Sequence, residues 1–264
     1  MKKCRLVFLG TGGSMGVPVI ACQCQVCTSL DPHNQRLRPS VLIKTDLQTI
    51  LIDSSPDFRT QALRAKIQNI DNVIFTHAHH DHTAGVDDLR IFTLRNNFKM
   101  PCLLSQETLR DLQKRFYYIF EEIVGKPKFT TNLEITLLPE VEGEIAFAGL
   151  NIRSFTYRQC GMAVNGLRFG NFAFLTDIKE YDPEIFNFLK GVKILVISAL
   201  RFTPSIFHLT VDEAIEFAAK VGAEKVWLTH IAHELDHEKT NAYLPEHIRL
   251  SYDGLEFEFE AEEA

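Results

Sequence analysis

The chain has 264 residues, of which 45% are hydrophobic and 23% charged, so it is long enough for one large domain with a full core. Its 28 Lys and Arg side chains are outnumbered by 34 Asp and Glu, and the net charge of -6 gives no general attraction to nucleic acid or anionic lipid. The first apolar run covers only residues 6–9, which is too short for a signal peptide. We therefore expect a cytoplasmic protein that acts neither on nucleic acid nor at a membrane.

Short apolar runs rich in β-branched and aromatic residues recur along the chain and predict strands. In chain order these strands cover residues 5–9, 41–45, 49–52, 73–76, 134–138, 151–155, 167–169, 172–176, 194–198, 225–229 and 255–259. Amphipathic stretches between them predict helices at residues 57–65, 106–124, 182–189 and 210–221. Gly170-Asn171 predicts a two-residue hairpin turn, and Thr210 with Glu213 predicts a capping box at the start of the last helix. We find no repeat or linker in the sequence, so we predict a mixed α/β fold in a single domain, residues 1–264.

Four of the predicted strands end in a side chain that can bind a metal ion. These side chains are Asp53, His77, Asp177 and His230. The carboxyl ends of neighbouring parallel strands meet at one edge of a sheet, which is where ligands bind in open α/β folds. A single polar residue in such a place commonly does no more than mark the end of a strand, but four together favour a shared site.

The segment 77–82, His-Ala-His-His-Asp-His, is the most informative in the chain. Five of its six residues carry imidazole or carboxylate groups, which are the protein ligands of zinc, manganese and iron. Such a density of ligands is not typical of a solvated surface loop. The segment therefore predicts a centre for divalent metal ions.

The pattern His77-x-His79-x-Asp81-His82 after an apolar strand resembles the HxHxDH motif of the metallo-β-lactamase-fold hydrolases. The resemblance extends over most of the chain, because segments near residues 8–12, 52–57, 172–177 and 228–233 resemble the other motifs of this family. It implies a four-layer αβ/βα sandwich, whereas the sequence pattern alone supports only mixed α/β. The motif is specific for the fold and does not specify a substrate.

The resemblance also implies a set of ligands for two divalent ions, Zn²⁺ or Mn²⁺, with Fe as a further candidate. The residues are His77 and His79 for the first ion, Asp81, His82 and His230 for the second, and Asp177 as the bridge. Two ions held in this way are typical of metal-assisted hydrolysis.

Gln159 stands where the family has a third histidine for the first ion. Three consequences remain open: its amide oxygen could bind a harder ion such as manganese, solvent could complete the site, or the site could be empty and activity reduced. The thiol of the neighbouring Cys160 is a fourth candidate. We prefer a retained, metal-selective first site because the other ligands persist.

Cys22, Cys24 and Cys27 fall within six residues, whereas six cysteines in the whole chain are too few for a disulfide scaffold. The residues alone leave open three reduced thiols, a redox centre or a zinc site. The chain resembles the PhnP-like phosphodiesterase branch of the family, which has the same Cys-x-Cys-x-x-Cys insertion. That resemblance adds His233 as a fourth ligand and implies a small insertion near residues 22–27 with a closed, structural zinc site.

The resemblance assigns roles to three more groups in the predicted centre. Asp81 would orient the attacking water in addition to binding metal, and Asp53 would support the ligand histidines. His208 would contact the substrate phosphate and assist departure of the leaving group. The alternative for His208 is a surface histidine near a helix start.

These predictions favour a metal-dependent hydrolase, with a phosphodiesterase for small or cyclic phosphodiesters as the leading hypothesis. The expected cofactors are two divalent ions at the active site and one structural zinc ion. The expected partner is a small-molecule phosphodiester, and a homodimer is a candidate assembly. The alternatives are a hydrolase of another ester or thioester, and a metal-binding protein whose catalysis is impaired by Gln159.

Overall fold

Two seven-stranded sheets pack face to face in the computed structural model, which describes residues 1–121 and 129–264. The strands of the first sheet, in spatial order, are β14 (Glu256–Ala261), β1 (Lys2–Gly10), β2 (Ser40–Lys44), β3 (Thr49–Ile52), β4 (Asn72–Ile74), β5 (Met100–Leu104) and β6 (Leu133–Leu137). Those of the second sheet are β13 (Ile248–Leu250), β12 (Lys225–Thr229), β11 (Ile194–Ser198), β10 (Phe172–Leu175), β9 (Met162–Phe169), β8 (Leu150–Gln159) and β7 (Glu142–Phe147). Strands β3 to β6 of the first sheet and strands β10 to β13 of the second sheet are parallel. The remaining strands of each sheet pair in antiparallel orientation.

Helices and loops connect these strands. The α-helices are α1 (Phe58–Arg64), α2 (His80–Thr83), α3 (Arg90–Asn96), α4 (Gln106–Arg115), α5 (Tyr117–Phe120), α6 (Ile185–Phe188), α7 (Val211–Val221) and α8 (His237–Tyr243). In the described part of the chain, 3₁₀ helices cover Pro32–Asn34 and Ala84–Leu89. Within the described ranges, none of the helices has the length and apolar character that a membrane span requires.

Side chains alternate along the strands, and the central parallel strands of each sheet are buried on both faces. In β11, Val196 packs between the sheets, whereas Leu195 and Ile197 pack in a cluster with residues of α6 and α7. In β3, Ile50 packs between the sheets, and Leu51 packs in a cluster with residues of α1, α3 and α4. Burial of both faces explains why these strands are continuous apolar runs in the sequence. The layers are helix, sheet, sheet, helix, which confirms the predicted four-layer sandwich.

Phenylalanine side chains fill much of the space between the sheets. The ring centroid of Phe172 lies 4.6 Å from that of Phe259 and 5.7 Å from that of Phe257, both on β14. Phe169 and Phe172 pair across the turn at Gly170-Asn171, which confirms the predicted hairpin. The β9–β10 hairpin of one sheet and the last strand of the other therefore pack directly together in this core.

Every predicted strand is present, with bounds that differ by up to five residues, as for β9. The sequence analysis does not find β5, β7 or β13. A proline interrupts the apolar pattern of β5 at position 101, and β13 has only three residues. In β7, alternating exposed glutamates mark an edge strand whose outer face meets solvent.

The predicted helices are present, but two of them are shorter than expected. The prediction at 106–124 is divided into α4 and α5 by Phe116, at φ -120° and ψ 40°, and its last part, residues 122–124, lies outside the described residues. The prediction at 182–189 reduces to the four residues of α6. At α7 the capping box is formed as predicted, because Thr210 Oγ1 accepts from the Glu213 N–H and the Glu213 carboxylate accepts from the Thr210 N–H.

Candidate metal centre

Residues that follow β3, β10 and β12 meet at one edge of the sandwich, and their backbones turn sharply there. Asp53, Asp177 and His230 have φ values of 62°, 53° and 58°. Residues other than glycine seldom adopt this left-handed conformation, and such strain clusters at functional sites. The sharp turns place the three side chains next to the HxHxDH loop that follows β4.

The imidazoles and carboxylates at this edge are buried apart from the partly exposed His79, and besides an overlapping set of Asp177, His208 and His230 they form two separate groups of candidate metal ligands. The groups are His77, His79 and Asp177, and Asp81, His82 and His230, and within each group the ligand atoms lie within 4.8 Å of one another. Asp177 faces both groups, because its Oδ2 is 3.6 Å from His77 Nε2 and its Oδ1 is 3.3 Å from His82 Nε2. The structure therefore brings together the six residues that the sequence proposes as ligands of two ions.

The ring of His82 shows that the residues present fit a metal ion. Its Nδ1 lies 2.7 Å from a carboxylate oxygen of Asp53 and so carries a proton. Its Nε2 has no hydrogen-bond partner among the described residues, although it lies 3.3 Å from Asp177 Oδ1 and 3.5 Å from Asp81 Oδ2. Burial opposes a charge on the ring, but the carboxylates of Asp177, Asp81 and Asp53 outweigh it and raise the pKa of His82 well above its usual value. A divalent ion would supply the positive charge that these atoms attract.

The protonation states of Asp177, Asp81 and His77 also suit metal binding. Burial alone would raise the pKa of Asp177, but His230 and His82 hold the pKa of this carboxyl well below its usual value. The same two imidazoles outweigh burial at Asp81 and lower its pKa as well. Burial lowers the pKa of His77 well below that of a free imidazole. The carboxylates are therefore ionised and His77 is neutral, as metal ligands must be.

Asp53 occupies the supporting position that the sequence analysis proposes for it. One carboxylate oxygen accepts from the Thr76 N–H at 2.8 Å, and the other accepts from the Thr76 hydroxyl at 2.8 Å and from His82 Nδ1 at 2.7 Å. These bonds fix the tautomer of His82 and leave Nε2 directed at the second ligand group.

His208 is a partly buried residue of the same centre rather than a surface histidine. Its ring stacks on that of His230 with centroids 4.6 Å apart, and its Nδ1 lies 4.0 Å from Asp177 Oδ2. Burial and the neighbouring His230 lower the pKa of His208 to about 4. The imidazole is therefore neutral at pH 7 and can donate a hydrogen bond from its N–H.

Arg115 is a supporting residue that the sequence analysis does not identify. Its guanidinium donates to the backbone carbonyl of Ala78 and to the hydroxyl of Thr83 at 3.1 Å, and so holds the HxHxDH loop. Its Nε pairs with Asp111 one turn earlier on α4. The sequence carries no specific signal for this contact, because a basic residue in the last turn of a helix is common for other reasons.

The three clustered cysteines converge on one imidazole. The Sγ atoms of Cys22, Cys24 and Cys27 lie 3.3, 3.5 and 3.4 Å from His233 Nδ1. Tetrahedral zinc with ordinary bond lengths separates a sulfur from a nitrogen ligand by about 3.5 Å. The backbone N–H of Cys27 lowers the pKa of Cys24 to about 6, which favours the thiolate. These residues fit one structural zinc ion with no open coordination position.

A cavity of about 480 Å³ leads from the surface to the metal-ligand groups. His233, which the cysteine side chains surround, lies in its wall three residues after His230. Much of the remaining wall is apolar and consists of Met15, Val19, Leu200, Phe207 and Ile231. The sequence analysis does not identify these residues, although each lies in a loop after the end of a strand, where the fold places ligand sites.

Replacing Cys27 by serine is expected to remove one zinc ion per chain and to lower the midpoint of thermal unfolding by more than about 5 °C. The Cys27 thiol also accepts a hydrogen bond from the Val19 N–H at 3.3 Å, and the substitution weakens this bond to a residue that lines the cavity. Elemental analysis and calorimetry measure the two effects. Cys160→Ser is the control, because this thiol is exposed and outside the cluster. An undiminished zinc content in Cys27→Ser would contradict the site.

Comparisons with known proteins agree with this geometry. The profile of the beta-lactamase superfamily domain matches residues 48–231. A crystal structure described as a new diphosphatase from the PhnP family is 38% identical, covers 98% of each chain and has a TM-score of 0.90. Zn²⁺-bound PqqB from Methylobacterium extorquens is 16% identical over 96% of this chain and 99% of that chain, with a TM-score of 0.76, and shares the fold.

One curated relative has a name from a different class of enzyme. An octanoyltransferase of Porphyromonas gingivalis (strain ATCC BAA-308 / W83) is 37% identical over 261 residues, which are 96% of this chain and 51% of that protein. The chain thus spans about half the length of the curated relative that it matches. The sandwich fold, the His and Asp ligand groups, the profile match and the PhnP-family relative agree with one another. This chain belongs to the metallo-β-lactamase superfamily of metal-dependent hydrolases.

Proposed function

We propose that this protein is a metal-dependent phosphodiesterase that hydrolyses small or cyclic phosphodiesters. The observation that carries the proposal is the position of Asp177, whose two carboxylate oxygens face two separate groups of candidate ligands. A binuclear arrangement suits in-line displacement at phosphorus, because charge develops on both the attacking and the leaving oxygen. The relative described as a diphosphatase from the PhnP family supports phosphoryl chemistry.

The residues that line the cavity have distinct roles in this reaction. Two divalent ions bound there would lower the pKa of a water molecule between them and stabilise charge on the phosphoryl oxygens. Asp81 lines the cavity, so its carboxylate can accept a hydrogen bond from the attacking water and orient it. His208 also lines the cavity and, as a neutral imidazole, can donate its N–H to a phosphoryl or leaving-group oxygen.

The size and charge of the cavity favour a small substrate. A volume of about 480 Å³ suits a molecule of nucleotide size rather than a folded RNA. Among the described residues that line it, Arg201 is the one arginine, and its guanidinium lies 3.3 Å from Glu234. A substrate with several negative charges would meet little further positive charge there. This supports a substrate with a single phosphodiester group.

A second candidate function is the hydrolysis of an acyl ester or thioester. The apolar wall formed by Met15, Val19, Leu200, Phe207 and Ile231 could receive an alkyl chain, and one relative is named an octanoyltransferase. That name describes a protein of which this chain matches only 51%, so it does not say which half carries the activity. The phosphodiester proposal remains the stronger one because a bridged binuclear centre suits charged phosphoryl oxygens.

A substrate panel tests the proposal and separates the two candidates. Protein depleted of active-site metal is assayed with bis(p-nitrophenyl) phosphate, a 2′,3′-cyclic nucleotide and an octanoyl thioester, before and after addition of Mn²⁺ or Zn²⁺. We expect added metal to increase hydrolysis of a phosphodiester by at least about 100-fold, with the thioester at background. Turnover of the thioester alone would favour the second candidate. No turnover with both ions bound would favour a catalytically impaired protein.

A further inference from the structure

His208 lies at the end of a loop, residues 202–208, that is largely exposed to solvent. Residues 202–204, 206 and 207 are all exposed, whereas the imidazole of His208 turns inward to the metal-ligand groups. The base of the loop is closed by a hydrogen bond from the Leu200 N–H to the Leu209 carbonyl at 3.1 Å. An exposed loop without secondary structure is free to move unless other segments hold it. The position of His208 therefore depends on the contacts that hold the loop.

The end of β8 supplies these contacts from two consecutive residues. Gln159, which is only 3% exposed, donates from Nε2 to the backbone carbonyl of Phe207 at 3.0 Å. The thiol of the next residue, Cys160, donates to the carbonyl of Ile206 at 3.6 Å. Among the described residues, these are the hydrogen bonds that join the backbone of the loop to another segment. Cys160 is exposed and belongs to none of the candidate metal-ligand groups in that part of the chain.

The amide nitrogen of Gln159 also faces His208 and the metal centre. Its Nε2 lies 3.3 Å from Asp177 Oδ2, and 3.2 and 3.3 Å from Nδ1 and Nε2 of His208. The Phe207 carbonyl takes one of the two amide hydrogens, so the other is left for the carboxylate and the unprotonated ring nitrogen, which can both accept. The Oε1 atom has no hydrogen-bond partner among the described residues, so the polar contacts of this side chain run through its nitrogen.

We propose that Gln159 is a positioning residue for His208: its amide N–H groups hold the Phe207 carbonyl and the imidazole beside Asp177 and so keep the imidazole N–H within reach of the leaving-group oxygen. The inference rests on the proposed phosphodiesterase and on the role of His208 in it. A hydrogen bond to a departing oxygen is effective only where the donor is already in place, and a misplacement of about 1 Å can cost about 100-fold in rate. Gln159 acts on the reaction through His208.

A double-mutant cycle tests this coupling in protein that holds zinc at the cysteine site and both active-site ions. Gln159→Met keeps the length of the side chain and removes its N–H donors. We expect it to lower kcat about 10–100-fold, to change KM by less than about threefold and to leave the metal content unchanged. In the His208→Ala background the same substitution should lower kcat by less than about twofold, because no imidazole remains to be positioned. Gln68→Met is the control, since this exposed glutamine also donates to a backbone carbonyl, that of Lys66.

Two substrates that differ only in the leaving group separate positioning from a general loss of structure. Methyl p-nitrophenyl phosphate releases p-nitrophenolate, whereas methyl phenyl phosphate releases the more basic phenolate, which depends more on a hydrogen bond from His208. The loss of kcat in Gln159→Met should be at least about fivefold larger with methyl phenyl phosphate.

Limited digestion with chymotrypsin gives a readout that does not depend on hydrolysis. Phe207 is exposed in the loop, and Gln159 holds its carbonyl, which belongs to the peptide bond that this protease would cut. Cleavage after Phe207, identified by mass spectrometry, should be at least about fivefold faster in Gln159→Met than in wild type, because the loop is released.

Four results would each overturn the inference: an equal loss of kcat in the wild-type and His208→Ala backgrounds, an equal loss with both leaving groups, loss of an active-site ion from Gln159→Met, or loop cleavage at the wild-type rate. If Gln159→Met does not fold, Gln159→Asn decides by the same measurements, because its amide is one methylene farther from the Phe207 carbonyl. If phosphodiesters are hydrolysed but the cycle is additive, this inference fails alone. If wild-type protein with both ions hydrolyses no phosphodiester, the proposed function fails, and the cleavage rate still decides whether Gln159 holds the loop.

Discussion

Asp177→Asn is expected to reduce kcat/KM for phosphodiester hydrolysis by at least about 10³-fold and to lower the active-site metal content from two ions to one or fewer. Asp177 is the residue whose two oxygens face both ligand groups, so its charge acts on both ions. An asparagine keeps one oxygen but loses the negative charge. The four imidazoles and Asp81 then have to hold two divalent cations with a single carboxylate.

The substitution should abolish hydrolysis and metal bridging, but the protein should still fold. Asp177 has a φ of 53°, and asparagine is one of the residues that tolerate this conformation. The Thr176 hydroxyl, which donates to Asp177 Oδ1 at 2.7 Å, can donate equally to an amide oxygen. Asp182→Asn, at an exposed position a few residues later, is the matched control. Steady-state kinetics and elemental analysis give the two readouts, and full metal content with full activity in Asp177→Asn would contradict the bridging role.

Much of the centre could be predicted because parallel strands and polar strand ends are both visible in the sequence. The apolar runs before Asp53, His77, Asp177 and His230 are continuous, as expected for strands buried on two faces. The carboxyl ends of such strands share one edge of the fold, so residues about 100 positions apart could be assigned to one site. The identities of the side chains then indicated a metal.

The contacts of Gln159 could not be predicted because they join segments that are distant in the sequence. The predicted strand stops at residue 155, whereas β8 continues to Gln159 and carries the amide into the centre. Its nitrogen is fixed by the backbone carbonyl of Phe207, 48 residues away. A backbone carbonyl has no signature in the sequence. The residue type indicated an unusual first site, but only the fold shows which end of the amide is free.

The left-handed residues at the strand ends are a second feature that the sequence does not reveal. Asp53, Asp177 and His230 each follow an apolar run, and nothing in the sequence marks a positive φ at a residue other than glycine. Strain of this kind costs of order 1–3 kcal/mol at each residue and persists only where the surrounding structure enforces it. Here the side-chain hydrogen bonds of Asp53 and Asp177 help to hold these residues in the left-handed conformation.

Asp53→Asn is expected to weaken metal binding at the second site by about 10–100-fold, although Asp53 belongs to neither group of candidate ligands. Its carboxylate accepts three hydrogen bonds, two from Thr76 and one from His82 Nδ1. An asparagine has one acceptor oxygen, so its NH₂ group must face either the Thr76 N–H or the His82 Nδ1–H. In the first case the His82 Nδ1–H keeps an acceptor, but a neutral amide oxygen holds it less strongly than a carboxylate, and in the second case it loses its acceptor. The support of the His82 tautomer and orientation is reduced in both cases, while the backbone, at a φ of 62°, still accepts asparagine.

A supporting role and a ligand role predict different responses of Asp53→Asn to added metal. If Asp53 only orients His82, hydrolysis should fall at limiting Zn²⁺ and recover to within about tenfold of wild type at saturating Zn²⁺, with the loss expressed as weaker affinity. Asp46→Asn, exposed in the turn between β2 and β3, controls for the lost charge on the same hairpin. Metal titration followed by isothermal calorimetry, with kinetics at each concentration, separates the two roles. Unchanged zinc affinity would show that the 2.7 Å contact between Asp53 and His82 does not determine how tightly the second site binds zinc.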